Sequence, residues 1–406
     1  MKNYTNKLFN LQGLIADKIE FDDTKNSVFV CCRGASKFVK CPNCSKSTKR
    51  VHQISYRRIK HSILDFKIVF LFLRVRRFKC KHCGLVFSES FKGVDRRKTS
   101  INFRLQILDQ LKRNSFNYIG EKFNIAPATV VRYLLEMNRD IKIEWDKVNV
   151  TKLGIDEHSF RGHKLIITIT DLTNKKLLAI LKADDQKTLE TFINEIPNKY
   201  RDKIDEVCTD LRSSYKTVIK KCLPNAIYTA DRYHVEVLAR RTVDNIRTIL
   251  ETQKLGRRIN TKKLLWANKD TLDSHQLIKL DLVWEKYKNY PTLKQAWIIK
   301  EKMIDMYRSS SRKEAEIKFK HIIMLLETHD LNCCYLNTLK STLKSWKNEI
   351  LNYFENKTTN GFTEGCHTKI KMIKRISFGF KNINNYIAKI TLAFLPLSWI
   401  IIYHTV

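Results

Sequence analysis

Apolar and polar positions change rhythm several times along this chain. Up to about residue 95, apolar residues gather into β-like runs such as "FKIVFLFLRVRRFKC" (Phe66–Cys80). Residues 96–145 carry apolar positions at helical spacing with polar residues between them. From Thr151 short strand-like runs alternate with helices: "KLGIDEHSF", "KLIITITDL" and "KLLAILKA", then helical "TLETFINEI", strand "IDEVCTDLR", helical "SYKTVIKKCL" and strand "AIYTADRYHV". Three strands followed by helix–strand–helix–strand predict an α/β sheet whose first strands are antiparallel. Residues 236–353 show helical periodicity and almost no strand signal, with "YRSSSRKEAE" (Tyr307–Glu316) as a loop that opens a charged helix. The pattern therefore predicts a multi-domain α/β protein with segments 1–95, 96–145, 146–235, 236–353 and 354–406. It contains no internal repeat and no long low-complexity linker.

Charge changes this picture most. Lys and Arg number 76 against 41 Asp and Glu, a formal net charge of +35, spread along the whole chain of 406 residues. Such self-repulsion points to a polyanionic partner, with nucleic acid ahead of an anionic membrane surface. Hydrophobic residues make up 43%, enough to bury real cores, which excludes a disordered basic tail. The opening "MKNYTNKLFNLQGL" lacks the apolar run of a secretion signal, so the expected location is the cytoplasm. The apolar stretch "ITLAFLPLSWIIIY" is shorter than the roughly 20 residues needed to span a bilayer and contains Pro396, so it reads as buried helix or tail, with no membrane partner.

Without export, the cysteines are not expected to form a disulfide framework. Cys41 and Cys44 in "CPNC", with Cys80 and Cys83 in "CKHC", form two C-x-x-C knuckles. Two intervening residues let both sulfurs of a knuckle reach one ion, so four thiolates suit a tetrahedral, closed and structural Zn²⁺. The stretch between the knuckles is longer than the roughly 15–20 residues of the usual ribbon, and its β-like text fits a long hairpin. Cys31, Cys32, His52 and His82 are the fallback ligands. "YIGEKFNIAPATVVRY" (Tyr118–Tyr133) fits a helix-turn-helix. Ile119, Phe123, Ile125, Val130 and Tyr133 are its core positions, Gly120 is small where the helices cross, and Asn124 falls at the turn. A plain helical hairpin has the same apolar spacing. As a DNA reader, the motif would turn Ala128, Thr129 and Arg132 to the major groove, with Lys122 and Arg139 near phosphates.

Asp156, Asp210 and Asp231 each close an apolar strand, the last followed by His234. A carboxylate there is either a solvated strand end or a metal ligand whose desolvation the ion offsets. Glu364 opens the helical segment "NGFTEGCHTKIKMIKR" (Asn360–Arg375). At about 100° per residue it shares a polar face with Thr368, Lys371 and Arg375, opposite Cys366, Ile370 and Ile373. Glu364 can complement the helix dipole or serve as a distant partner of the aspartates.

In order and spacing, "CPNC", "RRFKCKHCGLVF", "GIDEHSF", "CTDLRSSY", "PNAIYTADRYHV" and "NGFTEGCHTKIKMIKRISFGF" resemble bacterial insertion-sequence transposases of the ISL-three type. The resemblance covers nearly the whole chain. It implies a zinc ribbon over residues 1–95, a helix-turn-helix over 96–145, and a ribonuclease-H-like mixed sheet in two parts, 146–235 and 354–406, around a helical insertion, 236–353. It further implies a catalytic triad of Asp156, Asp210 and Glu364 holding Mg²⁺ (or Mn²⁺), with Asp231 and His234 in support. Lys371, Lys374 and Arg375 would hold phosphates beside the metals. The implied partners are double-stranded DNA (terminal inverted repeats and target), with a homodimer or larger assembly at the bacterial nucleoid. Two stretches depart from the family's pattern: asparagines usually follow the "EG" pair, where this chain has Cys366, His367 and Thr368, and the apolar tail after Ile390 is unlike the usual family ending. The same residues admit a DNA-binding regulator with an inactive catalytic domain, or a ribonuclease-H-like nuclease. Metal-dependent cutting and joining of repeat-ended DNA separates the three.

Overall fold

The fold is that of a computed structural model of the chain, which describes residues 6–254, 261–328 and 333–395. Two compact units emerge, Met1–Lys142 with Lys369–Val406, and Ile143–Thr368.

In the first unit, strands β1 (Leu14–Asp22), β2 (Ser27–Gly34), β3 (Val39–Lys40), β4 (Ser47–Thr48), β5 (Val51–Leu64), β6 (Lys67–Lys79) and β7 (Val86–Ser88) precede the helices. The main sheet runs β1-β2-β6-β5, with β7 also on β6. Alternation in β6 buries Val69, Leu71, Leu73 and Val75 against Val28, Val30 and Ile59. The β-like text between the cysteine pairs is indeed a long hairpin, β5–β6. It turns at Asp65 and Phe66, both left-handed (φ 47° and 62°), as a two-residue loop matched to strand twist requires.

Helices Ile101–Leu111 and Phe116–Lys122 begin at Ser100 and Ser115, whose side chains accept the N–H of Phe103 and Tyr118. Asn124 takes φ 48° in the following turn, and Pro127 opens the helix Pro127–Asp140. Ile119, Phe123, Val130 and Tyr133 are buried together, with Ile125 packed at the edge. A Cβ on Gly120 would stand 2.9 Å from the Ile125 carbonyl oxygen and 3.1 Å from Pro127 Cγ, so the two helices meet where only glycine fits. One expectation changes here. The C-terminal helix Ile383–Phe394, expected with the catalytic core, packs Ala388 and Leu392 into this helical cluster instead. Those two positions share a face at i, i+4 spacing, and Lys389 Nζ donates to the Asn114 carbonyl oxygen.

The second unit holds the expected sheet. Strands β8 (Lys152–Arg161), β9 (Lys164–Asp171) and β10 (Lys176–Ile180) are antiparallel neighbours, while β11 (Glu206–Thr209) and β12 (Ile227–Ala230) run parallel to β8, in the order β10-β9-β8-β11-β12. This is a ribonuclease-H-like mixed sheet. Helices follow from Arg232–Ile249 to Lys347–Asn356, and their apolar faces join the sheet in one core that runs from Val150 to Phe354. The helical stretch starts four residues earlier than the sequence boundary at 236, since the chain leaves β12 at Ala230 and turns into helix at Arg232. Ser311 caps Arg312–Glu327 by accepting the Glu314 N–H, as the loop reading of Tyr307–Glu316 anticipates.

No helix among the described residues is long and apolar enough to cross a membrane. The apolar stretch from Ile390 closes the last helix, and its part beyond residue 395 lies outside the described residues.

Gly120→Ala should lower the stability of the first unit by about 1–3 kcal/mol, because the crowding atom is a backbone oxygen that cannot swing away. A urea melt followed by circular dichroism checks this; an unchanged midpoint would show that the two helices do not meet so closely.

Candidate active site and zinc centre

Parallel register brings the strand-end acids together. Ile155, Thr209 and Ala230 are successive cross-strand partners on β8, β11 and β12. The next residue in each is Asp156, Asp210 or Asp231, so three carboxylates stand at one level; β11 and β12 end there, whereas β8, expected to close at Asp156, runs on to Arg161 because its pairing with β9 continues. Asp156 and Asp231 are buried and Asp210 nearly so.

The helix Gly361–Ile376 is pinned over β8. Just before it, the Asn360 side-chain amide donates to the Ile155 carbonyl oxygen (2.9 Å) and its backbone N–H to Asp231 Oδ1 (2.9 Å). The Thr363 and Thr170 hydroxyls pair at 2.7 Å. Gly154 on β8 makes this approach possible: a Cβ there would lie 2.5–2.6 Å from Thr170 Oγ1, Asn360 Oδ1 and Thr363 Oγ1. Glu364 in the first turn thereby lines a cleft of about 270 Å³ with Asp231, Arg232, Tyr233, Glu236, Thr359 and Gly361.

The other oxygen of Asp231 accepts from His234 Nδ1 at 3.1 Å, which leaves Nε2 as the nitrogen available to a metal. Burial pushes Asp156 up to about 7. His234 opposes that shift, and the charges of Asp210, Asp231 and Glu364 add to it. Asp210 is raised for the same reasons, burial first and then Asp231, against the pull of His234. Burial pulls His234 down, but its bond to Asp231 and the fields of Asp156 and Asp210 outweigh this and raise it. Such a mutual strain among charges is what a bound cation relieves.

Donor atoms of Asp156, Asp210 and His234 all lie within 4.8 Å of one another, and Asp210 Oδ1 is buried with no hydrogen-bond partner. A divalent cation fits both facts: it supplies the missing partner and the missing charge. Glu364 stands outside this closed set, yet near enough for its charge to act on Asp156. His158, Thr168, Asn360 and Thr363 are site neighbours that the sequence reading passed over. Only His158 carried a signal, because it shares the face of Asp156 two residues on in "GIDEHSF".

In the first unit Cys41, Cys44, Cys80 and Cys83 also converge within 4.8 Å. Each knuckle is the turn of a small hairpin: β3 and β4 flank the first, β6 and β7 the second. Each turn closes on a left-handed residue, Ser45 or Gly84. Sγ atoms approach across the pair, Cys41 to Cys83 at 3.5 Å and Cys44 to Cys80 at 3.6 Å. The Leu85 amide, aimed at Cys83, holds that thiol down at about 6, which favours the thiolate that zinc binds. Cys31, Cys32, His52 and His82 are not part of this set. Of the expected DNA-facing residues, Ala128, Arg132, Lys371 and Arg375 are exposed, and Thr129 and Lys374 are half-buried.

A family model of transposases with an ISL3-type DDE domain matches residues 153–390. A model of the zinc-finger of the transposases of IS204, IS1001, IS1096 and IS1165 matches residues 37–83. The transposase for insertion sequence element IS1001 of Bordetella parapertussis is 24% identical over 394 residues, covering 94% of this chain and 96% of that protein. The transposase for insertion sequence element IS1557 of Mycobacterium tuberculosis (strain CDC 1551 / Oshkosh) is 25% identical over 309 residues, covering 69% and 68%.

Binding of a divalent metal should weaken as pH falls below about 7, by roughly tenfold per unit if one proton is displaced from Asp156. Without metal the sign for stability is opposite. Below its ordinary value of 3.8 the acid is protonated folded or unfolded; between there and about 7 only the folded form keeps the proton, so stability falls as pH rises. Calorimetric titration with Mn²⁺ from pH 6 to 8 checks the first point, and a flat profile would contradict it. For the ribbon, elemental analysis should find about one zinc per chain, lost in the double variant Cys41→Ser, Cys80→Ser; undiminished zinc would place the ligands elsewhere.

Proposed function

Because this chain belongs to the ISL3-type family of DDE transposases, we propose that it binds the terminal inverted repeats of an insertion sequence and performs strand cleavage and transfer at Asp156, Asp210 and Glu364. The chain is a DNA transposase with a structural zinc ribbon. The observation that carries the assignment of residues is the alignment of Asp156 and Asp210 on neighbouring parallel strands, with Asp210 Oδ1 buried and unpartnered.

Asp156, Asp210 and Glu364 would hold divalent metal, Mg²⁺ or Mn²⁺, as hard carboxylate ligands suit. Bound there, two such ions supply activation of a water or 3′-hydroxyl nucleophile and neutralise charge on the leaving oxygen. Asp231 supports the centre by fixing the ring of His234 and the start of the Gly361–Ile376 helix. His234 offers a nitrogen beside the two aspartates, so it either completes the metal shell or shields their charges until metal arrives.

DNA is held by the remainder of the chain. Lys371, Lys374 and Arg375 continue the helix that bears Glu364 and would grip phosphates, which offsets the repulsion between acidic site and DNA backbone. The helices Phe116–Lys122 and Pro127–Asp140 would act as a helix-turn-helix, with Ala128, Thr129 and Arg132 reading bases. The zinc ribbon of residues 1–95 adds further contacts. Residues 96–145 would be the reading module, 146–235 with the start of 354–406 the catalytic core, and 236–353 its helical insertion. Joining two ends implies a homodimer or larger assembly on DNA, at the nucleoid.

Glu364→Gln should bind repeat-ended DNA like the wild type and lose Mg²⁺-dependent cleavage and joining by at least about 10³-fold. Gel shift and strand-transfer assays on the same DNA measure both. Wild-type cutting by the variant would remove Glu364 from the triad. Cutting without joining by the wild type would indicate a nuclease, and binding with no cutting by either would indicate a regulator.

A further inference from the structure

Behind Asp156 lies a buried polar group that the reaction as proposed does not use. Asp156 and Thr168 face one another across β8 and β9, and His158, two residues on, points to the same side. Onto this side the Gly361–Ile376 helix lowers His367, one turn after Glu364. His158, Thr168 and His367 are all buried, the last 7% exposed. His367 Nδ1 lies 3.4 Å from Asp156 Oδ2, and its Nε2 lies 3.0 Å from Thr168 Oγ1. His158 Nδ1 reaches the same hydroxyl at 2.9 Å, and the two rings stand 5.0 Å apart.

Counting protons gives this group a direction. An ionised carboxylate only accepts, so the nitrogen that faces Asp156 must carry hydrogen. Neutral His367 then presents a lone pair at Nε2, which the Thr168 hydroxyl fills by donating. Its single proton so used, Thr168 can only accept from the second imidazole, and His158 Nδ1 must carry hydrogen. With Asp156 ionised, as a metal ligand is, and both rings neutral, the chain His158 to Thr168 to His367 to Asp156 is satisfied in one sense only. Asp156 is meanwhile held at its other oxygen, Oδ1, by the N–H of Glu157 at 2.7 Å. The Glu157 N–H on one oxygen and the His367 ring beside the other together fix the plane of the carboxylate.

We propose that His367 is a positioning residue for Asp156, its tautomer and ring orientation set by Thr168 and His158. This rests on the reading of Asp156 as a metal ligand. The Gly361–Ile376 helix thus delivers Glu364 to the centre and, one turn later, braces the first aspartate of the same centre. Outer hydrogen bonds of this kind keep ligand oxygens aimed at the metal, and their loss typically weakens metal binding about 10–100-fold.

The test is Mn²⁺ binding by the zinc-loaded full chain, read from the electron paramagnetic resonance signal of free Mn²⁺, together with the melting midpoint. His367→Leu removes the donor, Thr168→Val removes the hydroxyl with little change of volume, and His367→Asn restores a donor near Nδ1. The expected result is about 10–100-fold weaker Mn²⁺ binding in H367L and T168V at an unchanged melting midpoint, with most of the affinity recovered in H367N. A merely structural histidine would lower the midpoint and leave affinity alone, and H367N would not recover it. Should H367L unfold, T168V alone decides. Wild-type Mn²⁺ affinity in H367L and T168V, alongside its loss in Asp210→Asn, would overturn the positioning role and leave the metal site standing. Wild-type affinity in D210N as well would remove the metal-site reading and the proposal with it.

Discussion

Three neighbouring strands bring aspartates to one level, two at strand ends and Asp156 in the middle of β8, and the burial of so much negative charge constrains the rest of the catalytic unit. Ile155, Thr209 and Ala230 must align for this to happen, and two of the three strands, β11 and β12, are only four residues long. Val207 and Cys208 on β11 and Tyr228, Thr229 and Ala230 on β12 are buried, so a slip of register would move each out of its packed place. Each acid then meets a specific answer. Asp231 is matched by the Asn360 N–H and by His234, and Asp156 by the Glu157 N–H and His367. Asp210 Oδ1 alone of these buried oxygens is left without a partner, so the protein stops one contact short of neutrality, as a cation site must.

Construction of the zinc ribbon obeys another logic. The β5–β6 hairpin is long and its outer positions are rich in arginine and lysine, for instance Arg57, Arg58, Arg74 and Arg77. Like charges along a twisted ribbon repel, and two strands alone are marginal in water. Stability comes from two sources on either side of that repulsion. On one face, Val69, Leu71 and Leu73 join the core with β2. At the open end, four sulfurs clamp the segments before β5 and after β6, where Thr48 Oγ1 and the Arg50 carbonyl also engage Lys79. One internal ion pair adds to these: Arg76 on β6 is held at 2.6 Å by the buried carboxylate of Glu89, just after β7.

Much of this was legible from the chain because the signals were local. Asn124 at a turn, Gly120 at a crossing and two C-x-x-C knuckles each specify geometry within a few residues. The succession of strands and helices was readable because the apolar runs are long enough to register, while which strands would be neighbours was left open. What escaped depends on contacts between segments some two hundred residues apart: Asn360 with Ile155, His367 with Thr168, and Thr363 with Thr170. No periodicity marks them, and a glycine such as Gly154 shows its purpose only when three polar side chains crowd the place of its missing Cβ. The same applies to the helix Ile383–Phe394. Its apolar face was visible, but the sequence could not say that the helices around Tyr133, rather than the sheet, would cover it.

Glu364 illustrates why local reading and tertiary placement must be combined. A glutamate in a first helical turn is favourable by the helix dipole alone, so its presence there carries little information. The helix start, however, is fixed by Asn360 to Ile155 and Asp231, residues at the very level of the aspartates. Once Asn360 is pinned, the first turn must project toward the acid cluster, and the following turn must set His367 against Asp156. There the imidazole ring spans from the carboxylate to Thr168. Cys366 is buried as well, on the same helix as the buried Ile370 and Ile373. The two residues that follow the Glu364–Gly365 pair are thus both buried, and the second is set against Asp156.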